Sequence, residues 1–242
     1  MQVLNLNPKY IKQITVSTPT LGYAIKWQVG DLNHDNIPDL LFGGSSWTAN
    51  ATPVSPGKAS LYAIQSLGGG NLVDATSVVF KNNPVNSETN TLLSGDFNKD
   101  GYSDFIVAAT GGENGKAVGA YSHLYLSEGK GGYVISEIKN DTLGFGYFHH
   151  VDMADINNDG FVDFVFVTAS VGSGFTLVNN GGKSFTLKSD GLAEAITNPK
   201  YGEVVSSFSD GYWQKVYRQQ NQTDLLTDIN RDGNQDLIVF KS

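Results

Sequence analysis

Four segments of this chain carry the same spaced set of acidic and amide residues, and this repetition constrains the fold more than any other feature. The shared pattern is D-x-N-x-D-G-x-x-D followed by an apolar run, with Asn36 replacing the glycine in the first copy. The four segments read GDLNHDNIPDLLF from Gly30, GDFNKDGYSDFIV from Gly95, ADINNDGFVDFVF from Ala154 and TDINRDGNQDLIV from Thr227. Their first aspartates are separated by 65, 59 and 73 residues. Repeats of this period are typical of stacked or radially arranged structural units.

Short apolar runs on both sides of each segment predict β-strands. IKWQV precedes and DLLF follows the first segment, and both have the length and the bounding turn residues of strands. Two further strand candidates follow each of the first three segments, for example SLYAIQSL and LVDATSVVF after the first. About four strands in about 60 residues is the arithmetic of a propeller blade. The best helical candidate is a short stretch near residues 192–196.

The two ends of the chain complement each other. The chain stops two strands into the fourth repeat, whereas two spare strand candidates, QVLNL and IKQITVS, precede the first. Pairing residues 1–18 with residues 222–241 would close a ring and remove exposed edges. The sequence therefore predicts a single all-β domain over 1–242, a β-propeller of about four four-stranded blades. The alternative is a piece of a longer propeller. The expected blades span about 19–80, 88–138, 146–188 and 222–242 plus 1–18, with an insertion at 189–221.

The spacing inside each segment suits calcium, which takes six to eight oxygen ligands. Counting the first aspartate as position 1, side chains at positions 1, 3, 5 and 9 and the carbonyl at position 7 supply oxygens to one centre. The candidate ligands are Asp31, Asn33, Asp35, Ile37 and Asp39; Asp96, Asn98, Asp100, Tyr102 and Asp104; Asp155, Asn157, Asp159, Phe161 and Asp163; Asp228, Asn230, Asp232, Asn234 and Asp236. Position 6 requires a positive φ, which glycine adopts freely and asparagine tolerates.

The alternatives to this calcium loop are an EF-hand and a solvated aspartate turn. An EF-hand needs a glutamate at position 12, where this chain has the apolar residues Phe42, Val107, Phe166 and Val239, so it is rejected. A solvated aspartate turn accounts for one copy more easily than for four in register. Four Ca²⁺ ions would also balance the formal charge of −8, and magnesium suits the site less because it prefers a smaller octahedral shell.

Composition excludes several classes of function. The chain contains no cysteine, which removes disulfides, thiolate metal sites and cysteine nucleophiles. Its negative charge disfavours nucleic acid and anionic membrane surfaces as partners. No apolar run is long enough to span a membrane, and the N-terminus shows no signal peptide, so an exported protein would have lost its signal or be an excised domain.

The four loops, each with a strand before it and an apolar strand after it, resemble the FG-GAP/VCBS repeat family, including the integrin α-subunit propellers. The resemblance covers nearly the whole chain through its four motifs. Its Phe-Gly and Gly-Ala-Pro flanks are degraded, and LFGGSSW from Leu41 is the nearest match. The resemblance implies a propeller whose calcium loops join the first and second strands of each blade. It also implies roles in adhesion, carbohydrate binding or protein recognition, or as an accessory domain on an enzyme.

The longer insertions are expected at the end of the blades away from the calcium loops. Aromatic and histidine residues there suit sugar stacking or protein contacts, although covering the core or capping a strand explains them as well. The candidate ligand contacts are Trp47, His149, His150, Tyr212 and Trp213. The leading hypothesis is a calcium-stabilised extracellular or cell-surface module that binds glycan or protein. A polysaccharide-acting lyase or hydrolase, or its accessory domain, and an architectural spacer are the alternatives, and the sequence offers no catalytic motif.

Overall fold

The computed structural model describes residues 26–44, 59–80, 85–86, 89–110, 112–113, 116–117, 119–129, 132–172, 174–189, 204–209, 212–217, 224–227, 231 and 236–239. The predicted closing strands in residues 1–18 and the helical candidate at 192–196 lie outside these residues.

The described residues form strands almost throughout, with one helical turn. The strands of the first repeat are β1 (Lys26–Gly30), β2 (Asp39–Gly43), β3 (Ala59–Ser66), β4 (Leu72–Asp74) and β5 (Val85–Asn86), and the helical turn is α1 (Thr76–Val79). Those of the second are β6 (Thr89–Gly95), β7 (Asp104–Ala109), β8 (Gly112–Glu113), β9 (Lys116–Ala117), β10 (Ala120–Tyr121), β11 (His123–Ser127) and β12 (Tyr133–Glu137). The rest are β13 (Phe145–Ala154), β14 (Asp163–Gly172), β15 (Phe175–Asn179), β16 (Phe185–Lys188), β17 (Val204–Ser209), β18 (Tyr212–Tyr217), β19 (Asp224–Thr227) and β20 (Asp236–Val239).

Three sheets repeat the same antiparallel order. The first is β1-β2-β3-β4 with β5 added to β3, and the second is β6-β7-β11-β12. The third is β10-β13-β14-β15-β16, so it holds four consecutive strands and one short strand from the preceding repeat. β19 and β20 pair as a hairpin in the fourth repeat, and β17 pairs with β18 inside the predicted insertion. The all-β class and a sheet of four main strands per repeat are therefore confirmed for the first three repeats, with β8, β9 and β10 lying between the second and third main strands of the second repeat.

One strand prediction is wrong in its second half. LVDATSVVF was expected to be a single strand, but only Leu72–Asp74 is extended and Thr76–Val79 forms a helical turn. The Asp74 carboxylate accepts the Thr76 N–H at 2.9 Å, which turns the backbone just after the strand. The turn then places Val79 in the core with 4% of its surface exposed.

The core consists of two apolar layers on either side of the second sheet. Every residue of β7 is buried, and its side chains alternate between the layers as the period of a strand requires. The first interface, between sheets one and two, contains Leu32, Leu41, Leu61, Ala63, Ala75, Val79, Phe80, Leu92, Phe105, Val107 and Tyr125. The second interface, between sheets two and three, contains Phe97, Ile106, Ala108, Leu124, Ile138, Phe148, Val151, Phe164, Phe166, Phe175 and Leu177.

The first strands of successive repeats lie side by side. β1 contacts β6, β6 contacts β13, and β13 contacts β19. The Gln28 side chain on β1 donates to the Leu92 carbonyl on β6 at 2.7 Å. Sheets thus pack face to face with their first strands in series. Of the two segments predicted to close a ring, residues 1–18 lie outside the described residues, and the hairpin of β19 and β20 is described within 222–241. In the described part of the chain, no helix has the length and apolarity needed to cross a membrane.

Candidate functional site

Each described aspartate loop joins the first and second strands of its sheet. The loops at 30–39, 95–104 and 154–163 leave β1, β6 and β13 and enter β2, β7 and β14. The fourth loop connects β19 to β20 in the same register, with Thr227 opposite Asp236. The candidate ligands Asp228, Asn230, Asp232 and Asn234 lie outside the described residues. This connection is the one that the family resemblance implied.

The position-1 carboxylate organises the turn of each loop. In the second loop, Asp96 accepts the Asp100 N–H on Oδ1 at 3.0 Å and the Gly101 N–H on Oδ2 at 2.8 Å. The first loop repeats these contacts at 3.2 and 2.8 Å, and the third at 3.0 and 2.7 Å. A short carboxylate side chain that accepts its own downstream N–H groups is the reason that aspartate is needed here.

Positions 3 and 5 are tied to the same centre. Asn98 Oδ1 accepts the Asp100 N–H at 3.0 Å, and Asn98 Nδ2 donates to Asp100 Oδ2 at 2.9 Å. The other two loops repeat both bonds, with distances between 2.9 and 3.2 Å. Because Oδ1 of positions 1 and 3 accept one and the same N–H, the oxygens of these two side chains converge on one side of the loop.

The position-9 carboxylate faces the interior of its repeat, toward the sheet. Asp104 Oδ2 accepts the Phe97 N–H at 2.8 Å, and Oδ1 accepts the Ser127 N–H at the end of β11 at 2.8 Å. Asp39 and Asp163 make the equivalent bonds to the first turn of their loop and to the third strand of their blade. This residue therefore fastens each loop to its sheet.

Burial and like charge both act on the position-9 carboxylates. Asp39, Asp104 and Asp163 are at most 1% exposed. Burial raises the pKa of Asp104 to about 6, with further upward contributions from Asp100 and Asp96 that the two backbone hydrogen bonds oppose. The pKa values of Asp39 and Asp163 are raised for the same reasons. Three carboxylates within electrostatic reach of one another favour either a proton or a bound cation.

Two backbone positions in each of the first three loops are left-handed, and one of them is described in the fourth loop as well. The predicted position 6 has φ of 62° at Asn36 and 89° at both Gly101 and Gly160, while Gly233 lies outside the described residues. Position 4 is also left-handed, with φ between 58° and 65° at His34, Lys99, Asn158 and Arg231. The motif did not predict a left-handed residue at position 4. The four residues at this position share only a polar side chain.

The donor set of these loops fits calcium in its chemistry. Carboxylate oxygens at positions 1, 5 and 9, an amide oxygen at position 3 and a carbonyl at position 7 are the hard oxygen ligands that calcium prefers. Within the described ranges, no three histidine or acidic side chains are grouped closely enough to hold a metal ion by themselves. The carboxylates instead accept backbone N–H groups, and no described lysine or arginine forms an ion pair with them.

Adjacent loops also touch each other through positions that the sequence did not single out. The ring of His34, at position 4 of the first loop, contacts that of Tyr102, at position 7 of the second. Lys99, at position 4 of the second loop, lies 4.4 Å from the ring centroid of Phe161, at position 7 of the third. The same pair of positions therefore links the first loop to the second and the second loop to the third.

The predicted ligand contacts are not brought together by the described residues. Trp47 lies outside them, and for His149, Tyr212 and Trp213 the backbone alone is described. His149 and His150 were expected at the start of a strand but lie inside β13, because that strand begins at Phe145, where it pairs with β10. A register shift between Phe148 and His150 makes His149 a bulge residue, so the simple alternation of side chains expected for this histidine pair does not apply. Tyr212 and Trp213 were expected in a loop but lie in β18.

An aromatic group at the end of the blades away from the aspartate loops was missed. Phe145 is 45% exposed, and its ring packs edge to face against that of Tyr121 at 5.3 Å between centroids. Lys139 lies 5.1 Å from the Tyr121 ring and forms an ion pair with Glu137. The signal in the sequence was weak, since Phe145 precedes the run that was assigned to the strand.

Comparison with known proteins supports the repeat. Residues 96–166 match the model of the FG-GAP-like repeat, and this stretch runs from the second aspartate loop to the strand after the third. No curated protein matches the chain significantly. One similar solved structure is described as the basis of specific recognition of non-reducing terminal N-acetylglucosamine by an Agrocybe aegerita lectin. It has 14% identity and a TM-score of 0.31, and the alignment covers 91% of this chain and 61% of that one.

A TM-score of that size does not establish a common fold, so identification rests on the repeat itself. Two of the four loops that carried the family resemblance, the second and the third, lie inside the matched stretch, and each joins the first and second strands of a sheet. The chain therefore carries the FG-GAP-like repeat, as its aspartate loops predicted.

Proposed function

We propose that this chain is a calcium-stabilised extracellular recognition module, built as a β-propeller of about four blades and binding glycan or protein through the end away from its aspartate loops. The observation that carries the metal half of the proposal is the identical arrangement of the three described loops. Each places three mutually repelling carboxylates around a converging set of oxygens. A bound Ca²⁺ would supply the positive charge that offsets this repulsion.

The loop residues have separate tasks in this proposal. Positions 1, 3 and 5 would hold the cation from the exposed side of the loop, while position 9 would join the site to the blade through its two backbone hydrogen bonds. Binding to the folded state alone stabilises by about 2.7 kcal/mol per site at a hundredfold excess of ligand over Kd. Two or more such sites rival the typical margin of a domain, about 5–15 kcal/mol. The abundance of calcium outside cells favours an extracellular location.

The propeller half of the proposal is supported by how the sheets pack. β7 is buried on both faces, and the first strands of four successive repeats are in contact in series. Exposed apolar side chains remain on the outer face of the first sheet, where Trp27 is 59% and Val29 is 45% exposed. A closing blade from the fourth repeat and the N-terminus would cover that face, as ring closure requires.

Thermal unfolding with and without calcium tests the metal half. We expect the Tm to fall sharply when EDTA replaces excess CaCl₂, and Asp100→Asn to reduce this calcium-dependent gain. Asp141→Asn, at an exposed aspartate outside the loops, is the matched control and should leave the gain intact. A Tm that is indifferent to EDTA would refute calcium stabilisation.

The recognition half places ligand contacts at the end that carries Phe145, Tyr121 and Lys139. An exposed ring beside a lysine offers a stacking surface and a hydrogen-bond donor, which suit a sugar or a peptide side chain. Binding to an array of glycans of known structure, with calcium present, tests this placement. We expect Phe145→Ala to abolish the strongest signal and Val134→Ala, at a 52% exposed position on β12, to preserve it. Equal binding by both variants would move the contact surface elsewhere.

A further inference from the structure

Asn179, the last residue of β15, lies between the second and third aspartate loops and is fully buried. Its backbone N–H donates to Asp163 Oδ1 at 2.8 Å, which ties it to position 9 of the third loop. Its side-chain Oδ1 accepts the Gly182 N–H at 2.7 Å in the turn before β16. Its Nδ2 donates across the interface to the Phe97 carbonyl at 2.7 Å. Because Oδ1 accepts and Nδ2 donates, the orientation of the amide is fixed.

Phe97 continues this connection into the second loop. Phe97 is position 2 of that loop, and its N–H donates to Asp104 Oδ2 at 2.8 Å. Its ring is 1% exposed and packs edge to face on Phe164 at 4.8 Å. The position-9 carboxylates of two neighbouring loops are therefore joined by a hydrogen-bonded path that runs Asp104, Phe97, Asn179 and Asp163.

The turn that follows Asn179 adds a close contact to the same loop. Gly182 lies against the Asn98 backbone so tightly that a Cβ on it would approach Asn98 Cα and O to 2.8 Å. Asn98 is position 3 of the second loop, whose side chain is a candidate ligand. The contact surface between the blades thus includes backbone on both sides, which leaves little freedom for either loop to shift alone.

The equivalent residues of the first two sheets, Ser66 and Ser127, make no such link to another sheet among the described residues. Ser66 and Ser127 donate their N–H groups to Asp39 and Asp104, just as Asn179 does to Asp163. The Ser127 hydroxyl accepts the Gly129 N–H, so it fills the role of Asn179 Oδ1 within its own turn. The serine side chain has a single polar atom, which this turn already uses. Asparagine has two, so that Oδ1 can bind the turn while Nδ2 reaches the neighbouring sheet.

We infer that Asn179 is a positioning residue that couples metal binding at the second and third loops. A cation at the third loop would hold Asp163, and the hydrogen-bonded path would then order Phe97 and Asp104 before the second loop binds. The second loop then binds its cation without a further loss of conformational entropy in Phe97 and Asp104. This saving gives positive cooperativity between the two loops. By linkage the effect is reciprocal, so a filled second loop favours the third equally. This inference rests on the calcium loops proposed above.

Two glycine amides make the loops separately observable. The N–H groups of Gly101 and Gly160 donate to the position-1 carboxylates of the second and third loops. Their resonances in amide NMR spectra therefore report each loop during a titration of the full chain with CaCl₂ alone. The variants are Asp155→Ala, which disables the third loop, Asn179→Ser, which installs the residue found at this place in the first two sheets, and the combination of both.

Coupling predicts a specific pattern in these titrations. Asp155→Ala should weaken calcium binding reported by Gly101 about fivefold or more, within the usual range of coupling between sites. In the Asn179→Ser background the same change should leave the Gly101 affinity within about twofold. Asn180→Ser, at the exposed neighbouring residue in the same turn, is the matched control and should retain the coupling.

Other outcomes would overturn the inference in distinguishable ways. Calcium binding at Gly101 that ignores Asp155→Ala would refute the coupling and leave the calcium sites standing. Coupling that survives Asn179→Ser would refute the role of Asn179. Amides that do not respond to calcium would refute the metal sites as well. Hydrogen exchange of the Phe97 amide, compared between the natural chain and Asp155→Ala with calcium, gives a second measure, and unchanged protection would also count against the coupling.

Discussion

Two interfaces flank the second sheet, one on each of its faces, and they are held together by different side-chain chemistry. The first is rich in leucine and alanine, and two of the hydrogen bonds across it involve Gln28, which is half-buried on an inner strand. The Ser94 hydroxyl also donates to the Val29 carbonyl, and the Thr89 N–H donates to the Gly44 carbonyl. The second is built from phenylalanine rings, and its cross-blade bond comes from Asn179, which is fully buried beside two aspartate loops. Both also have an exposed contact between position 4 of one loop and position 7 of the next.

This difference shows which part of the repeat is fixed and which part varies. The loop geometry and the strand order are the same on both sides, because they follow from hydrogen bonds within one repeat. The contacts between repeats depend on which side chains meet, and no local rule requires them to agree. The second interface should therefore be the stiffer one, and its loops the more strongly coupled pair.

The largest expected effect comes from removing a ring of the second interface. Phe166 stacks on Phe175 at 4.6 Å and meets Phe148 edge to face at 5.6 Å. Phe166→Ala should lower the free energy of unfolding by about 3–5 kcal/mol, measured by urea denaturation with calcium present. Leu41→Ala in the first interface should cost closer to about 2 kcal/mol, at the lower end for a buried leucine. Equal losses would mean that the two interfaces do not differ in packing.

A smaller effect is expected at Gln28 in the first interface. Its Nε2 donates to Leu92 O at 2.7 Å, and its Oε1 accepts the Ser94 hydroxyl at 3.2 Å. Gln28→Ala should cost about 1 kcal/mol, the usual net value of a protein hydrogen bond. Gln65→Ala, on the same sheet, serves as the control and should cost less. A decrease of about 3 kcal/mol or more in the free energy of unfolding of Gln28→Ala would contradict the expected difference between the two interfaces.

The sequence was informative where function and fold are local. Four copies of one motif were enough to predict the loops, their flanking strands and the left-handed position 6, because each of these depends on residues within about ten positions. Asp104 was predicted as a candidate ligand for the same reason. Its second task, accepting the Ser127 N–H, was not visible in the motif.

The sequence did not predict contacts between residues that are far apart along the chain. The residue that binds position 9 from the third strand lies 27, 23 and 16 positions after it in the three repeats, so no fixed spacing marks Asn179. A polar residue directly before a glycine-rich turn is the one signal that the three cases share. The bulge at His149 has a counterpart at Asn90, but a bulge is set by pairing with the neighbouring strand rather than by residue type.

The exposed contacts between loops should contribute still less. Lys99 and Phe161 at the second interface form a cation–π pair at 4.4 Å, for which about 0.5–1 kcal/mol is typical at exposed sites. A double-mutant cycle with Lys99→Ala and Phe161→Ala, measured by urea denaturation, isolates this energy. The cycle of His34→Ala and Tyr102→Ala gives the matching value at the first interface. We expect the coupling free energy of each pair to be smaller than the coupling free energy that Asn179 transmits between the second and third loops. A larger value at either pair would mean that these exposed contacts, and not Asn179, are the main connection between neighbouring loops.

The smallest expected effect is the pH dependence that one histidine of the first interface contributes. His123 lies on the face of β11 that carries Tyr125, and its Nδ1 is buried without a hydrogen-bond partner among the described residues. Burial lowers the pKa of His123 from 6.5, Glu137 opposes this shift and Lys139 adds to it. Because the folded-state pKa is depressed, the unfolded chain binds the proton more readily below pH 6.5. The contribution of His123 to the free energy of unfolding should therefore fall as the pH drops from about 7 to 5, by an amount that the nearby Glu137 keeps modest. The raised pKa values of the position-9 carboxylates act in the opposite direction, so the His123 contribution is read as the difference between the natural chain and a variant that lacks this histidine. His123→Gln should flatten this dependence in urea denaturation at matched calcium, and an unchanged slope in the variant would assign it to a titrating group other than His123.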